Sequence, residues 1–525
     1  MKVNDFKRIC LIWAIFILAA LLRLLVIYAY RGYLGGDEAI VGLMAKHMLD
    51  GEGFPLFYYG QSYMGSLEAM LSALLFAFGG ISVICLRLAP FIFSMLFLLI
   101  LYFSAKRFSA PGIPILSLLL AALPPVFFLR WSVWARGGFI EVLFWGQLSL
   151  FLLSYVMEFP ASPRYYLLVG LTLGVGFWIN PLIMPYLLTV GCFLLAIVLR
   201  QKKHRWRLLA FLIFSFILGA SPLIAYNLVH PAATGIYLVK SFAGITRSTW
   251  NARGLWGSFL LFLKRRLWLY PISAPRSLAA LFQISNGSAL NWLSWAISLS
   301  LLSLFLCLGL SRRLKFPQRW QQQMASVYAL LLLLTLFLGC SGKFIPRYFL
   351  PIYSVYPIAC GLVLIRLKSK NFILSVVLLT ALIVFNLLGA ISAARYPRSR
   401  DLSSLIDVLN ELRISRGYAD YGTSYCINFL TRENVILSPS IPASFGLADR
   451  YPGYTAEVDR FINRAYIFLS GSEEQKTFIR QLRRASLGFE QRKINGYTLY
   501  YNVSNPLTSH DLKKLFLDDI KGGTG

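Results

Sequence analysis

Charged residues are scarce in this chain and acidic ones scarcer still: Asp and Glu number 22 against 51 Lys and Arg, and charged residues fill 14% of 525 positions. With 57% hydrophobic residues and a mean hydropathy of +0.64, that shortage excludes a soluble domain and fits a multi-span α-helical membrane protein. Cysteine is short as well, with seven in all, and only Cys426 lies in the polar C-terminal part. A disulfide framework or a thiolate metal cluster is thereby excluded there. That part also lacks the spacing of a P-loop, a zinc site or a nucleophile elbow. The first apolar run, Ile9 to Ala29, has no convincing small-residue cleavage site after it, so it reads as a retained span and not as a signal peptide. The net charge of +29 arrives in short groups between apolar runs. That pattern encodes topology and argues for no nucleic acid partner.

Lys2, Lys7 and Arg8 place the N-terminus in the cytoplasm, and the block Arg200, Lys202, Lys203, Arg205 and Arg207 marks a later cytoplasmic loop. Alternating apolar runs and basic groups give about eleven spans, with the segments around Asn180 and Pro181 short for full crossings. An odd count leaves the C-terminal part outside. The expected organisation is a transmembrane domain at 1–394, with a first external loop at 30–80 and a long one at 227–290, followed by an extracytoplasmic α/β domain at 395–525. Within the latter, helices are expected over Asp401 to Leu412, Tyr425 to Leu430 and Glu473 to Leu487. Strands are expected over Val435 to Leu437 and Ala465 to Leu469, and a hairpin about Asn495-Gly496.

The polar, aromatic and acidic stretch Gly35 to Glu68 organises the rest. Asp37 and Glu38 follow a Gly-Gly pair, a flexible joint that presents two carboxylates at a helix start. Ile40, Val41, Met44, Ala45, Met48 and Leu49 then recur at helical spacing, as on an amphipathic helix lying at an interface. Tyr58, Tyr59, Gln61 and Tyr63 supply ring, hydroxyl and amide surface suited to a sugar, and Glu68 opens a short apolar helix. The bland alternative is an interfacial hairpin with solvated charges and membrane-anchoring aromatics. Other external turns bring Arg136 and Glu141, then Lys343, Arg347 and Tyr348, to the same side. A carboxylate there can take a proton from a hydroxyl, and the cations can stabilise a departing phosphate. Snorkelling at the bilayer surface is the plain reading of the cations. Glu141, one turn inside a span, calls for a partner, and Arg136 is the expected one.

The segments GDEA, FPLFYYGQSYMGSLEA, LRLAP and RYFLPIYSVYP, the last at Arg347 to Pro357, resemble the polyprenyl-phosphate-sugar-dependent glycosyltransferases of the multi-span GT-C fold. The similarity is greatest to the bacterial protein-mannosyltransferase-like, aminoarabinose-transferase-like and RgtA/B/C/D-like group, and covers roughly Ile9 to Ala394. It implies a catalytic acid in the first external loop, matched by Asp37 with Glu38 beside it, and cationic contacts to the lipid phosphate, matched by Lys343 and Arg347. It further implies a bacterial inner-membrane enzyme that moves a sugar from a polyprenyl-phosphate-linked donor, undecaprenyl phosphate being the expected carrier, to a glycan, lipid or protein acceptor among membrane lipids. No cofactor is required by these residues, and a divalent metal on the carboxylates is left open. The competing readings are a transporter or flippase of a lipid-linked saccharide, suited by broken helices near Asn180 and Pro181, and an assembly protein. The outer domain is expected to shape acceptor access through Tyr418, Tyr421, Tyr425, Tyr451 and Tyr454 and to contribute no catalytic residue.

Overall fold

The computed structural model describes residues 3–107, 112–201, 203–230, 233–235, 274–284, 288–310, 316–339, 345–395, 402–442 and 449–522, with single positions between 257 and 264. Helices α1 (Val3–Ala29), α2 (Gly36–Leu49), α3 (Leu67–Gly79), α4 (Val83–Lys106), α5 (Ile113–Ala122), α6 (Val126–Trp131), α7 (Phe139–Glu158) and α8 (Pro163–Ile179) form the first half. They are followed by α9 (Met184–Arg200), α10 (Arg205–Gly219), α11 (Ser221–Val229), α12 (Ala274–Leu281), α13 (Asn291–Leu310), α14 (Arg319–Gly339), α15 (Ile352–Lys368) and α16 (Phe372–Arg395).

Among the described residues, seven helical segments are long and apolar enough to cross a membrane, or eight if the α10–α11 pair, bent by 70°, counts as one. That corrects the expectation of about eleven. Apolar runs were counted as crossings, but several fall short of one. The run near Ile113 breaks at Pro124-Pro125 into α5 and α6, because proline removes a donor and blocks the preceding turn. Helices α8 and α15 stop at 17 residues each, and nearly every side chain of α15 from Ile352 to Leu364 is buried. An element enclosed by protein on all sides reads as apolar whether or not it spans lipid. Arg23, wholly buried in α1, donates to Ala19 O at 3.1 Å and to Ala121 O and Ala122 O at 3.4 Å. It thereby satisfies carbonyls at the end of α5.

The C-terminal part is an α/β layer: α17 (Ser403–Glu411), β1 (Arg416–Asp420), α18 (Tyr421–Leu430), β2 (Ile436–Ile441), α19 (Pro452–Arg460), β3 (Ala465–Leu469), α20 (Glu473–Arg484), β4 (Glu490–Ile494), β5 (Tyr497–Tyr501) and α21 (Ser509–Gly522). The sheet order is β2-β1-β3-β5-β4, parallel through β2, β1 and β3 and antiparallel beyond. Asn495 and Gly496, at φ 41° and 84°, make the tight turn between β4 and β5. Helix α18 begins four residues before the expected start because the Asp420 carboxylate caps it, accepting from Gly422 N and Thr423 N.

Helix α2 does not lie on an open interface. It is buried from Glu38 to Met48 except at Lys46, sandwiched between the bundle and α18. Gly42 permits this, since a Cβ there would come within 2.4 Å of the Phe429 ring. At the far end of α2, Glu433 accepts from His47 Nε2 at 2.9 Å, Lys46 Nζ at 2.5 Å and Tyr454 OH at 2.7 Å. Burial pushes the Glu433 carboxyl up, but bonds from His47, Lys46 and Tyr454 outweigh burial and hold it at about 2. Its folded value lies below the ordinary one, so this docking energy is in place above pH 4.5 and is lost as pH falls towards 2. Glu433→Ala strands three donors. It is expected to cost about 2 kcal/mol after allowance for partial exposure, seen as a lower thermal midpoint in detergent at pH 7.

Candidate functional site

The turn from α1 into α2 carries the site. Gly35 is extended at φ −91°, ψ 152°, and its N–H donates to Glu38 Oε2 at 3.3 Å. Arg87, one turn into α4, closes on Glu38 with Nε to Oε1 at 3.0 Å and Nη2 to Oε2 at 3.1 Å, both side chains being wholly buried. Its remaining donors reach Tyr30 O at 2.7 Å and Tyr33 O at 2.6 Å. Both Glu38 oxygens are thus committed to protein donors. Asp37, the preceding residue, is only half-buried, and its Oδ1 accepts from Tyr421 OH at 2.8 Å. Tyr58 OH donates to the Asp37 carbonyl at 3.1 Å. Burial, followed by the charge of Asp37, raises the Tyr58 and Tyr421 phenols, which keeps both as donors.

Tyr421 stands at the start of α18, so the outer domain touches the acid directly. Gly36 makes room for it: a Cβ there would sit 2.9 Å from the Tyr421 ring and 3.2 Å from Gly422 Cα. The Gly-Gly pair therefore serves close packing of two domains more than flexibility. Arg450, also from the outer domain, donates to Gly60 O at 3.3 Å and interacts with Tyr421. With its amide oxygen turned to Arg450, Gln61 accepts at 2.8 and 3.0 Å and donates to Tyr63 OH at 3.1 Å. Tyr59 faces the other way, hydrogen-bonding His47 Nδ1 at 2.8 Å and stacking near Tyr451.

The second wall is the turn before α7. Gly137 and Gly138 adopt φ 87° and 81°, a backbone that a side chain would strain, and aim successive N–H groups at Glu68 Oε2, the second at 3.1 Å. Asn180 Nδ2 holds the Gly137 carbonyl at 3.1 Å. Arg136, just before this turn, lies over the Trp134 ring at 4.2 Å and the Trp131 ring at 5.3 Å. Its Nη2 is 3.3 Å from where a Cβ on Gly35 would be, so it borders the Asp37 turn. Arg347, in the short 3-10 turn Pro346–Phe349, sits 5.6 Å over Phe139 at the start of α7 and 5.8 Å over Tyr348. Among the described residues neither guanidinium pairs with a carboxylate, and each keeps a buried Nε without an acceptor. Two such cations at a helix N-terminus attract an anion.

Glu141 is buried beside Glu68 rather than paired with Arg136. Burial, then the charge of Glu141, raises the Glu68 carboxyl well above its ordinary value, against the lowering by the Gly137 and Gly138 amides. Two carboxyls buried together disfavour each other's ionised form. Lys343 lies outside the described residues. Among those described, no group of three or more His, Cys, Asp or Glu is placed to hold a metal ion. Arg87, His47 and Arg450 enter the site or its support with no role read from the sequence, and Tyr421, expected to shape acceptor access, instead donates to the acid itself. Arg87 carries a readable signal, a charge four residues into an apolar span.

Solved structures share this fold. A crystal structure of ArnT from Cupriavidus metallidurans bound to undecaprenyl phosphate matches with a TM-score of 0.63 at 12% identity, over 94% of this chain and 99% of that one. The chain has that fold. The apo form of the same protein gives 0.61. An oligosaccharyltransferase from Archaeoglobus fulgidus in complex with zinc and sulfate gives 0.52 at 12% identity, over 94% of this chain and 73% of that one. No family model and no curated protein matches. The fold expected from the resemblance, a multi-span helical membrane protein with a C-terminal α/β domain, is found.

The raised Glu68 carboxyl fixes the sign of a pH effect. Its folded value exceeds the unfolded one, so the native state binds more protons and stability falls as pH rises from about 4.5 towards the folded value. Glu68→Gln is expected to reduce the decline in thermal midpoint between pH 5 and pH 8. An unchanged slope would exclude a raised Glu68 carboxyl.

Proposed function

We propose that this protein transfers a glycosyl group from a polyprenyl-phosphate donor, with undecaprenyl phosphate as carrier, to a hydroxyl of a glycan, lipid or protein acceptor on the outer face of a bacterial inner membrane. The observation that carries the proposal is one half-buried carboxylate, Asp37, in the turn that Arg136 borders, with Arg347 over Phe139 at the start of α7 and neither guanidinium pairing with a carboxylate among the described residues. The likeness in fold to a protein crystallised with undecaprenyl phosphate supports the choice of lipid. The basic groups at the opposite ends of the spans support the orientation.

In this reading Asp37 Oδ2 takes the proton of the acceptor hydroxyl while Tyr421 holds Oδ1 in place. The acceptor oxygen forms its bond to the anomeric carbon as the bond from that carbon to the phosphate oxygen breaks. The electron pair leaves with the phosphate, whose growing charge Arg136 and Arg347 stabilise. Glu38 serves as the anchor of the turn and not as the base, because Arg87 takes both its oxygens. Glu68 and Glu141 set the Gly137-Gly138 turn that carries Arg136. Tyr58, Gln61 and Tyr63 line the sugar side, Tyr348 supports Arg347, and Lys343 is a further phosphate contact. Should a divalent metal take part, Asp37 Oδ2 is the free carboxylate oxygen at hand.

Asp37→Asn keeps the size and the Tyr421 contact but removes the proton acceptor. It should lower single-turnover transfer by about 10² to 10⁴-fold with donor affinity little changed. Arg347→Ala should weaken donor binding and slow transfer together, since its contact strengthens as the phosphate gains charge, and Lys at this position should restore only part. Assays with polyprenyl-phosphate sugars, alongside donor titration, test both. Near-normal transfer by Asp37→Asn, or lipid-linked saccharide moved across the bilayer without transfer, would overturn the assignment.

A further inference from the structure

The opposite end of the bundle carries a second candidate site. Helix α7 starts at the Gly137-Gly138 turn that holds Glu68 and, over its 20 residues, descends about 30 Å before reaching Met157. Met157 there borders a cavity of about 310 Å³, whose remaining walls come from the end of α9 and the first two turns of α14. Its two halves differ in chemistry. One is apolar, built from Met157, Phe193 and Ile197. The other carries Arg200, Arg319 and Gln322.

The polar half, which Gln323 and Ser326 complete, carries two positive charges and no negative one. Arg200 and Arg319 form no ion pair among the described residues, and Gln322 Nε2 is buried without an acceptor. The N-terminus of the 21-residue α14 adds the positive end of a helix dipole on the same side. No carboxylate lines the cavity. A cation is therefore disfavoured here, and a neutral ligand leaves both charges unmet, whereas a phosphodiester gains two guanidinium contacts and an amide donor. The apolar half argues against a free anion, which would leave Phe193 and Ile197 facing an empty crevice, and matches an acyl chain descending from its headgroup along the α9–α14 seam.

We propose that this cavity binds an anionic glycerophospholipid of the leaflet opposite the Asp37 site, with its phosphodiester on Arg200, Arg319 and Gln322 and an acyl chain against Phe193, Ile197 and Met157. The bound lipid ties α7, α9 and α14 together at the end of the bundle away from the outer domain. It is a lipid distinct in place and role from any donor at Arg136 and Arg347.

Delipidated full-length protein in detergent, titrated with phosphatidylglycerol and followed by native mass spectrometry, tests the proposal. One phosphatidylglycerol should bind in preference to phosphatidylcholine. The double substitution Arg200→Gln and Arg319→Gln should weaken it about 30-fold, the loss of two basic contacts at a lipid surface. Ile197→Trp, which fills the apolar half and leaves both charges, should weaken it as well, and serves alone if the double variant does not fold. Equal binding of phosphatidylcholine, wild-type affinity in either folded variant, or displacement of the lipid by millimolar inorganic phosphate would overturn the assignment.

Discussion

The buried fork of Arg87 on Glu38 is the contact on which the site depends. One guanidinium satisfies a carboxylate and the last carbonyls of the α1 turn, at Tyr30 and Tyr33, so α1, α2 and α4 are fixed to each other through a single side chain. Both partners are fully buried. Such a pair is weak as a source of net stability, because desolvation offsets most of the attraction, yet losing one partner costs about 3–5 kcal/mol by stranding the other. What the pair supplies is position. Glu38 has no freedom, and its neighbour one residue earlier is left with a carboxylate turned from the core towards Tyr421.

From that anchor the two domains become one device. The outer domain packs α18 along α2, using Gly36 and Gly42 as the places where backbone and ring come close. Tyr421 and Arg450 at one end of the contact, and Glu433 and Tyr454 at the other, meet groups of the first loop. The five tyrosines expected to offer stacking surface are drawn into this construction. Tyr418, Tyr421, Tyr425 and Tyr454 are each at most 4% exposed, and so are spent on packing and hydrogen bonds. A division of labour in which the bundle alone forms the acid's surroundings does not fit, since the donor to Asp37 Oδ1 comes from the outer domain.

Much of this was legible in the sequence, for identifiable reasons. The Asn495-Gly496 hairpin, the strand at Ala465 to Leu469 and the helix from Glu473 follow from local periodicity and turn chemistry, which need no partner to be read. Asp37, Glu68, Arg136, Glu141 and Arg347 are expected on one side of the membrane from the alternation of spans, and contacts at Gly35, the Gly137-Gly138 turn and Phe139 lie among them. Long-range choices were not legible. Asp37 and Glu38 are adjacent acids of the same chemistry, and only a residue 49 positions downstream distinguishes them. Span number failed similarly, because apolarity reports burial without saying whether lipid or protein does the burying.

Arg136 and Arg347 at the site and Arg200 and Arg319 at the far cavity, none of which pairs with a carboxylate among the described residues, show how a strongly basic chain distributes its charge. Topology accounts for basic groups at the ends of spans, but it places no demand on a guanidinium whose Nε is buried without an acceptor, as in Arg136 and Arg347. Leaving such a donor unmet costs on the order of 1–3 kcal/mol, a cost that any acceptor reaching it would relieve and an anion most strongly. The aromatic rings of Trp131, Trp134 and Phe139 hold these cations without neutralising them, since a ring quadrupole attracts a cation yet accepts no proton and carries no net charge. Carboxylates in place of these rings would neutralise both guanidiniums and leave no net positive charge at the start of α7.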